Sequence, residues 1–156
     1  LVEGKGDFYA FDYFKRIVFK NKFKLNFMPS SGANNLGPII SLYLGWGRSF
    51  IILLDGDPTG RAAGQGYETE WYLGAGIVNT LTDASTKTFK KRKLENLIST
   101  TGKKIIAKNF GKKTVSKKEI ARFFQEKIAV GEIINFDSET NENFERIFEY
   151  CESKFS

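Results

Sequence analysis

The sequence predicts an α/β fold: a parallel sheet of about four strands flanked by helices, with a helical C-terminal extension. Three observations predict it. The run Phe50-Ile51-Ile52-Leu53-Leu54 has no polar alternation, as expected of a strand buried on both faces of a parallel sheet. Between Leu1 and Leu81, short apolar runs alternate with stretches of helical periodicity in the order β-α-β-α-β-α-β, which implies right-handed crossovers. Beyond Thr82 the chain becomes polar and basic, and its later apolar residues recur at helical spacing.

Taken in order, Leu1-Val2 reads as the end of a strand. Residues 7–20 read as a helix, because Phe8, Phe11, Phe14, Ile17 and Val18 form one apolar face. Lys22 to Met28 alternates through Phe23, Leu25 and Phe27, the period of a strand. Pro29 to Asn35 is turn-rich. A second helix spans 36–44, with Pro38 tolerated in its first turn, and Gly45-Trp46-Gly47 ends it. The central strand follows, then a helix over 59–73 closed by Gly74-Ala75-Gly76, then a strand over 77–81. Residues 82–93 read as a loop and 94–99 as a helix, while 103–110 fits either state. Ser116-Lys117-Lys118-Glu119 is a capping box before Ile120, Phe123, Phe124 and Ile128. A last helix over 138–155 carries Phe144, Ile147, Phe148 and Cys151.

At 156 residues and 41% hydrophobic composition the chain has enough apolar material for one domain, with a core over about 1–82 and the extension over about 83–156. Trp46, Trp71 and the phenylalanines are expected in its core. No apolar run reaches the ~18 residues of a membrane span. The start, Leu1-Val2-Glu3-Gly4, lacks the pattern of a signal peptide and opens as if in mid-strand, so a longer parent chain is expected. A single cysteine, Cys151, suits a reducing, cytoplasmic setting. The absence of histidine removes Ser-His-Asp and Cys-His catalysis and the common zinc sites. Any chemistry must therefore rest on carboxylates, lysines, hydroxyls and hard metals.

Charge is uneven. The net is +6, and basic residues crowd the stretch from Lys87 to Lys127, including Lys90, Lys91, Arg92, Lys93, Lys112 and Lys113. Such a stripe suits a polyanion such as DNA; a lysine-rich solvated surface is the plainer alternative.

The central strand ends in Asp55-Gly56-Asp57-Pro58-Thr59-Gly60. Parallel sheets place ligand sites beyond the carboxyl ends of their strands. Two carboxylates one residue apart at such an end begin a site for a hard cation, Mg²⁺ or Mn²⁺. The competing reading makes them an Asx-turn and a helix cap. Glu3-Gly4-Lys5-Gly6-Asp7 repeats the pattern after the first strand, and crowded carboxylates repel one another unless a cation neutralises them.

These two acid motifs, about fifty residues apart, resemble the TOPRIM domain shared by topoisomerases, primases and certain nucleases. Three further features resemble the version found in the overcoming-lysogenization-defect (OLD) family of nucleases: the Pro29–Asn35 loop, the acid at Asp7, and Leu94-Glu95-Asn96-Leu97, which departs from the family pattern at Asn96. The resemblance implies a Rossmann-like core and a two-ion Mg²⁺ or Mn²⁺ site for phosphodiester cleavage, with Glu3, Asp7, Asp55, Asp57 and Glu95 as ligands. It implies that Lys117 or Lys118 faces the scissile phosphate. It further implies an upstream ATPase domain through which the full-length chain oligomerises, and a role in phage defence. This stretch itself has no Gly-x-x-x-x-Gly-Lys-Ser/Thr for a P-loop. A primase- or topoisomerase-like strand-transfer domain, and a non-catalytic module that binds nucleic acid or a partner, are the alternatives.

Overall fold

Ile52–Leu54 forms β1 and pairs in parallel with Val78–Thr80, β2, in the register Ile52–Val78, Leu53–Asn79, Leu54–Thr80. The computed structural model describes residues 1–85 and 92–155. Between these strands runs α3 (Pro58–Glu70), and before them come α1 (Lys5–Tyr13) and α2 (Gly37–Gly45). After them come α4 (Thr100–Asn109), α5 (Lys117–Val130) and α6 (Ser138–Ser153).

The sheet is smaller than the sequence predicts. Among the described residues two parallel strands form, not about four, and the chain is mostly helical. Val2 makes single parallel bridges to Pro29 and Leu53, and neither extends into a ladder. Residues 22–28 keep their alternation, with Phe23 and Leu25 buried and Lys24 and Asn26 exposed, yet they form no strand. A strand needs a paired neighbouring backbone, and the one bridge nearby, from Val2, reaches Pro29 just past their end.

Helix boundaries follow local chemistry. The helix expected from Asp7 begins at Lys5, with Asp7 Oδ2 accepting from the Gly4 N–H at 2.9 Å. It continues as a π-turn over Phe14–Val18. The helix expected over 94–99 shrinks to one 3-10 turn, Leu94–Asn96, because Ser99 starts a new helix by accepting from the Gly102 N–H at 2.9 Å. The ambiguous residues 103–109 belong to that helix, α4, which ends before Phe110. The capping box of α5 forms as expected, with Ser116 and Glu119 bonding each other's backbone N–H.

β1 divides the core. Ile51 and Leu53 join one apolar cluster with Phe11 and Phe14 of the α1 segment, Phe123 and Phe124 of α5, and Phe144 and Phe148 of α6. Phe50, Ile52 and Leu54 join another with Leu36, Ile40, Ala63 and Tyr67. The unbroken apolar run thus buries both faces. Phe14 and Phe144 stack with centroids 3.7 Å apart, and each fully buried phenylalanine contributes roughly 1.5–3 kcal/mol. Trp46 departs from expectation: it is 64% exposed. Tyr67 Oη donates to Ala33 O at 2.6 Å and accepts from the Leu36 N–H at 3.0 Å, locking α3 to the turn before α2.

Candidate functional site

The glycines of Asp55-Gly56-Asp57-Pro58-Thr59-Gly60 are dictated by close approach. A Cβ at Gly56 would collide with Thr82 Oγ1, and one at Gly60 would collide with the carbonyl oxygen of Asp55. The turn therefore folds tightly against the end of β1 and the loop after β2. Asp57 ends it as the N-cap of α3, accepting from the Gly60 N–H at 2.9 Å. Gly56 N–H donates to the Arg92 carbonyl at 2.6 Å, and Lys93 Nζ pairs with Asp57 Oδ2 at 3.0 Å. Together these bonds draw residues 92–95 up to the exit of β1.

Three chain segments then converge. Glu3 Oε2 accepts from the Asp55 N–H at 3.3 Å, and Asp55 Oδ1 accepts from the Leu94 N–H at 3.3 Å. Glu3, Asp7 and Asp55 line one small cleft with Leu94. A fourth element enters from α5. Gly6 and Ala121 leave α1 and α5 room to approach closely, since a Cβ at Gly6 would already touch that of Ala121 at 3.5 Å. This brings Lys117, the first residue of α5, to 3.8 Å from Asp55 Oδ2 and 3.5 Å from Glu95 Oε1.

The resulting electrostatics are those of crowded acids around one cation. Asp7 is 5% exposed; its burial, together with the fields of Asp55 and Glu3, pushes its carboxyl up to about 7 against the pull of Lys117. Burial likewise pushes Asp55 up to about 6, with Glu3 and Glu95 adding and Lys117 opposing. For Lys117, partial burial disfavours the charge, but the fields of Asp7, Glu95, Asp55 and Glu3 outweigh it and raise the ammonium above its ordinary value. Asp57 behaves differently. The bond from Gly60 and the pair with Lys93 hold it below the usual carboxylate range.

The sequence-predicted residues thus separate into groups. Glu3, Asp7, Asp55 and Glu95 come together around Lys117. Asp57 stands at the rim with its carboxylate engaged by α3 and Lys93. Lys117, not Lys118, faces the acids, while Lys118 is exposed with no acidic partner among the described residues. Of the basic residues expected to meet DNA, Lys90 and Lys91 lie outside the described residues. Arg92, Lys93, Lys112 and Lys113 are exposed; Lys93 is paired with Asp57 and Lys112 with Glu119 on the first turn of α5. Arg61 Nη1 donates to the Gly56 carbonyl at 2.8 Å, and Ser30 Oγ donates to Gly32 O, so both serve local turns. One neighbour carried no signal in the sequence: Thr82, whose buried Oγ1 has no partner and which packs on the Gly56 turn.

Two further buried oxygens have no hydrogen-bond partner, Asp7 Oδ1 and Glu95 Oε2. A carboxylate oxygen in that state is costly unless a cation or water meets it. The donors are all hard oxygens, the type Mg²⁺ and Mn²⁺ take. In donor chemistry the residues fit such an ion. In geometry, among the described residues, no three acidic or cysteine side chains are arranged to hold a metal ion; the Lys117 ammonium supplies the positive charge instead. No helix among the described residues is long and apolar enough to cross a membrane. No protein-family model matches the chain, and neither the curated proteins nor the solved structures compared with it include a match.

Proposed function

We propose that this chain is a divalent-metal-dependent DNA nuclease domain of the kind its acid motifs resemble. The observation that carries the reading is the buried acid cluster at the end of β1, with Asp7 Oδ1 and Glu95 Oε2 unpartnered inside it. Glu3, Asp7, Asp55 and Glu95, with Asp57 at the rim, would hold Mg²⁺ or Mn²⁺, in a pair of ions on the OLD pattern. When bound, such ions supply an activated water and stabilise the leaving oxygen of phosphodiester hydrolysis. Lys117 neutralises charge on the phosphate from the first turn of α5. Arg92, Lys93, Lys112, Lys113 and Lys118 supply sequence-independent affinity for the backbone, which weakens steeply with salt. An upstream ATPase domain, oligomerisation through it and a role in phage defence belong to the same proposal and rest on the resemblance alone.

The test is cleavage of plasmid DNA with Mn²⁺ by the chain, against Asp55→Ala. Loss of cleavage in the variant is expected, and undiminished cleavage would refute the reading. One observation favours a second reading, a non-catalytic module: Lys117 already pairs with Asp55 and Glu95 without a metal. That reading requires DNA binding to survive chelator and Mn²⁺ titration into the chain to release or absorb no heat.

A further inference from the structure

The acid cluster at the end of β1 offers two unlike places for positive charge. The inner one is the cleft lined by Glu3, Asp7 and Asp55. Asp7 is buried there; its Oδ2 accepts from the Gly4 N–H at 2.9 Å, and its Oδ1 has no hydrogen-bond partner. The cleft measures about 10 Å³, room for one water or one small ion.

The outer place lies between Asp55 and Glu95, and Lys117 holds it. Asp55 Oδ1 is engaged by the Leu94 N–H at 3.3 Å, which leaves Oδ2 to face the Lys117 ammonium at 3.8 Å. Glu95 Oε1 faces the same ammonium at 3.5 Å, and Glu95 Oε2 is buried without a partner. Both ammonium distances exceed those of a good hydrogen bond, so the attraction is that of charge alone.

The helix that carries the lysine is fixed, but the lysine is not. The Ser116–Glu119 capping box secures the start of α5, and Gly6 and Ala121 hold α5 close against α1. The Lys117 side chain is half-exposed on a flexible four-carbon stem, so it can swing into solvent while α5 stays in place. Mg²⁺ draws carboxylate oxygens to about 2.0–2.1 Å, and an ammonium between the same two carboxylates competes with it for space and for charge.

We propose that Lys117 gates the second divalent ion: an ion reaches the inner cleft with the lysine in place, whereas one between Asp55 and Glu95 enters only as the ammonium swings out. The inference rests on the metal-dependent reading above and deepens it, because the released ammonium is then free to meet the phosphate. It also gives a reason why, among the described residues, no three acids stand arranged for an ion while the lysine is among them.

The experiment is calorimetric titration of Mn²⁺ at pH 8 into the unmodified chain, Lys117→Met, Lys117→Arg and Lys118→Met. The unmodified chain is expected to bind one ion, and a second at least about 10-fold more weakly, as when the competent state is about one-tenth populated. Lys117→Met is expected to tighten the second ion by at least about 10-fold. Lys117→Arg keeps the charge, and Lys118→Met removes a neighbouring one that has no acidic partner among the described residues; both are expected to leave the second ion weak. Two equally tight ions in the unmodified chain, a second ion that is unchanged, weaker or absent in Lys117→Met, or an equal gain in Lys118→Met overturns the gate and leaves the metal reading standing. No heat in either the unmodified chain or Lys117→Met overturns the metal reading, and the gate with it.

Discussion

The Lys117 ammonium lies 3.5 Å from Glu95 Oε1 and 3.8 Å from Asp55 Oδ2, on the first turn of α5. A lysine there opposes the helix dipole, which favours acids at a helix N-terminus. Its position is explained by the acids it faces, not by the helix that carries it. Lys117→Met removes the neutralising charge and leaves buried carboxylates uncompensated. At pH 8 it should cost about 1–2 kcal/mol in urea denaturation, the low end for a buried ion pair because the lysine side chain is half-exposed. At pH 5 the cost should shrink, since Asp7 and Asp55 are then largely protonated and the 3.5 Å contact with Glu95 is what remains. An equal cost at both pH values would mean that Lys117 acts through packing alone.

The same carboxyls set a pH dependence for the unmodified chain. Asp7 and Asp55 titrate in the folded protein near 7 and near 6, above the ordinary value of 3.8. The folded state therefore binds more protons than the unfolded state between those values. Their contribution to stability is full below about pH 4 and is lost as pH rises through 6 and 7. Urea denaturation without metal should show stability falling from pH 5 to pH 8 by a few kcal/mol, on the order of 2–4. Asp7→Asn should flatten most of that fall. If Mg²⁺ or Mn²⁺ enters the cluster, a millimolar addition should restore stability at pH 8 in the unmodified chain.

Much of this site was legible because its chemistry is local. The glycine-laced acids after Val2 and Leu54 predict a tight turn and close backbone approach, and the structure has both at Gly56 and Gly60. The capping box at Ser116–Glu119 fixes where α5 begins, and so where Lys117 stands. What was not legible depends on distant partners. The alternation of residues 22–28 specifies which side chains are buried but not whether a neighbouring backbone exists to pair with. The apolar pattern of Leu94, Leu97 and Ile98 fits a helix, but the cap at Ser99 interrupts it. Trp46 was expected inside on hydrophobicity alone, a rule that large aromatics at a turn readily break.

Asp57 can be separated from the central acids by comparing two substitutions. Asp57→Ala removes the bond to the Gly60 N–H and should cost about 1 kcal/mol through loss of the α3 cap. Asp57→Asn retains a side-chain oxygen for that bond and should cost under about 0.5 kcal/mol, the pair with Lys93 being exposed and weak. If Asp57 also ligates a metal, Asn should weaken Mn²⁺ binding by calorimetry at least about 10-fold while stability stays near that of the unmodified chain. Equal Mn²⁺ affinity in both proteins would confine Asp57 to capping.

Gly60 offers a test of how the strand exit holds Asp55. Its backbone packs so closely on the Asp55 carbonyl that a Cβ collides with backbone, not with a side chain that could swing away. Gly60→Ala must therefore push α3 away from β1 or twist the Asp55 peptide. On helix propensity alone the substitution would stabilise α3 by up to about 1 kcal/mol. The steric term should win, with a net loss of roughly 2 kcal/mol or more in thermal or urea unfolding. The exposed glycine Gly66 in the same helix has nothing near its Cβ position, so Gly66→Ala should stabilise by about 0.5–1 kcal/mol. Opposite signs for two glycines six residues apart in one helix would trace the tightness of the Asp55 turn to contact. Equal signs would remove close approach as the reason for glycine at position 60.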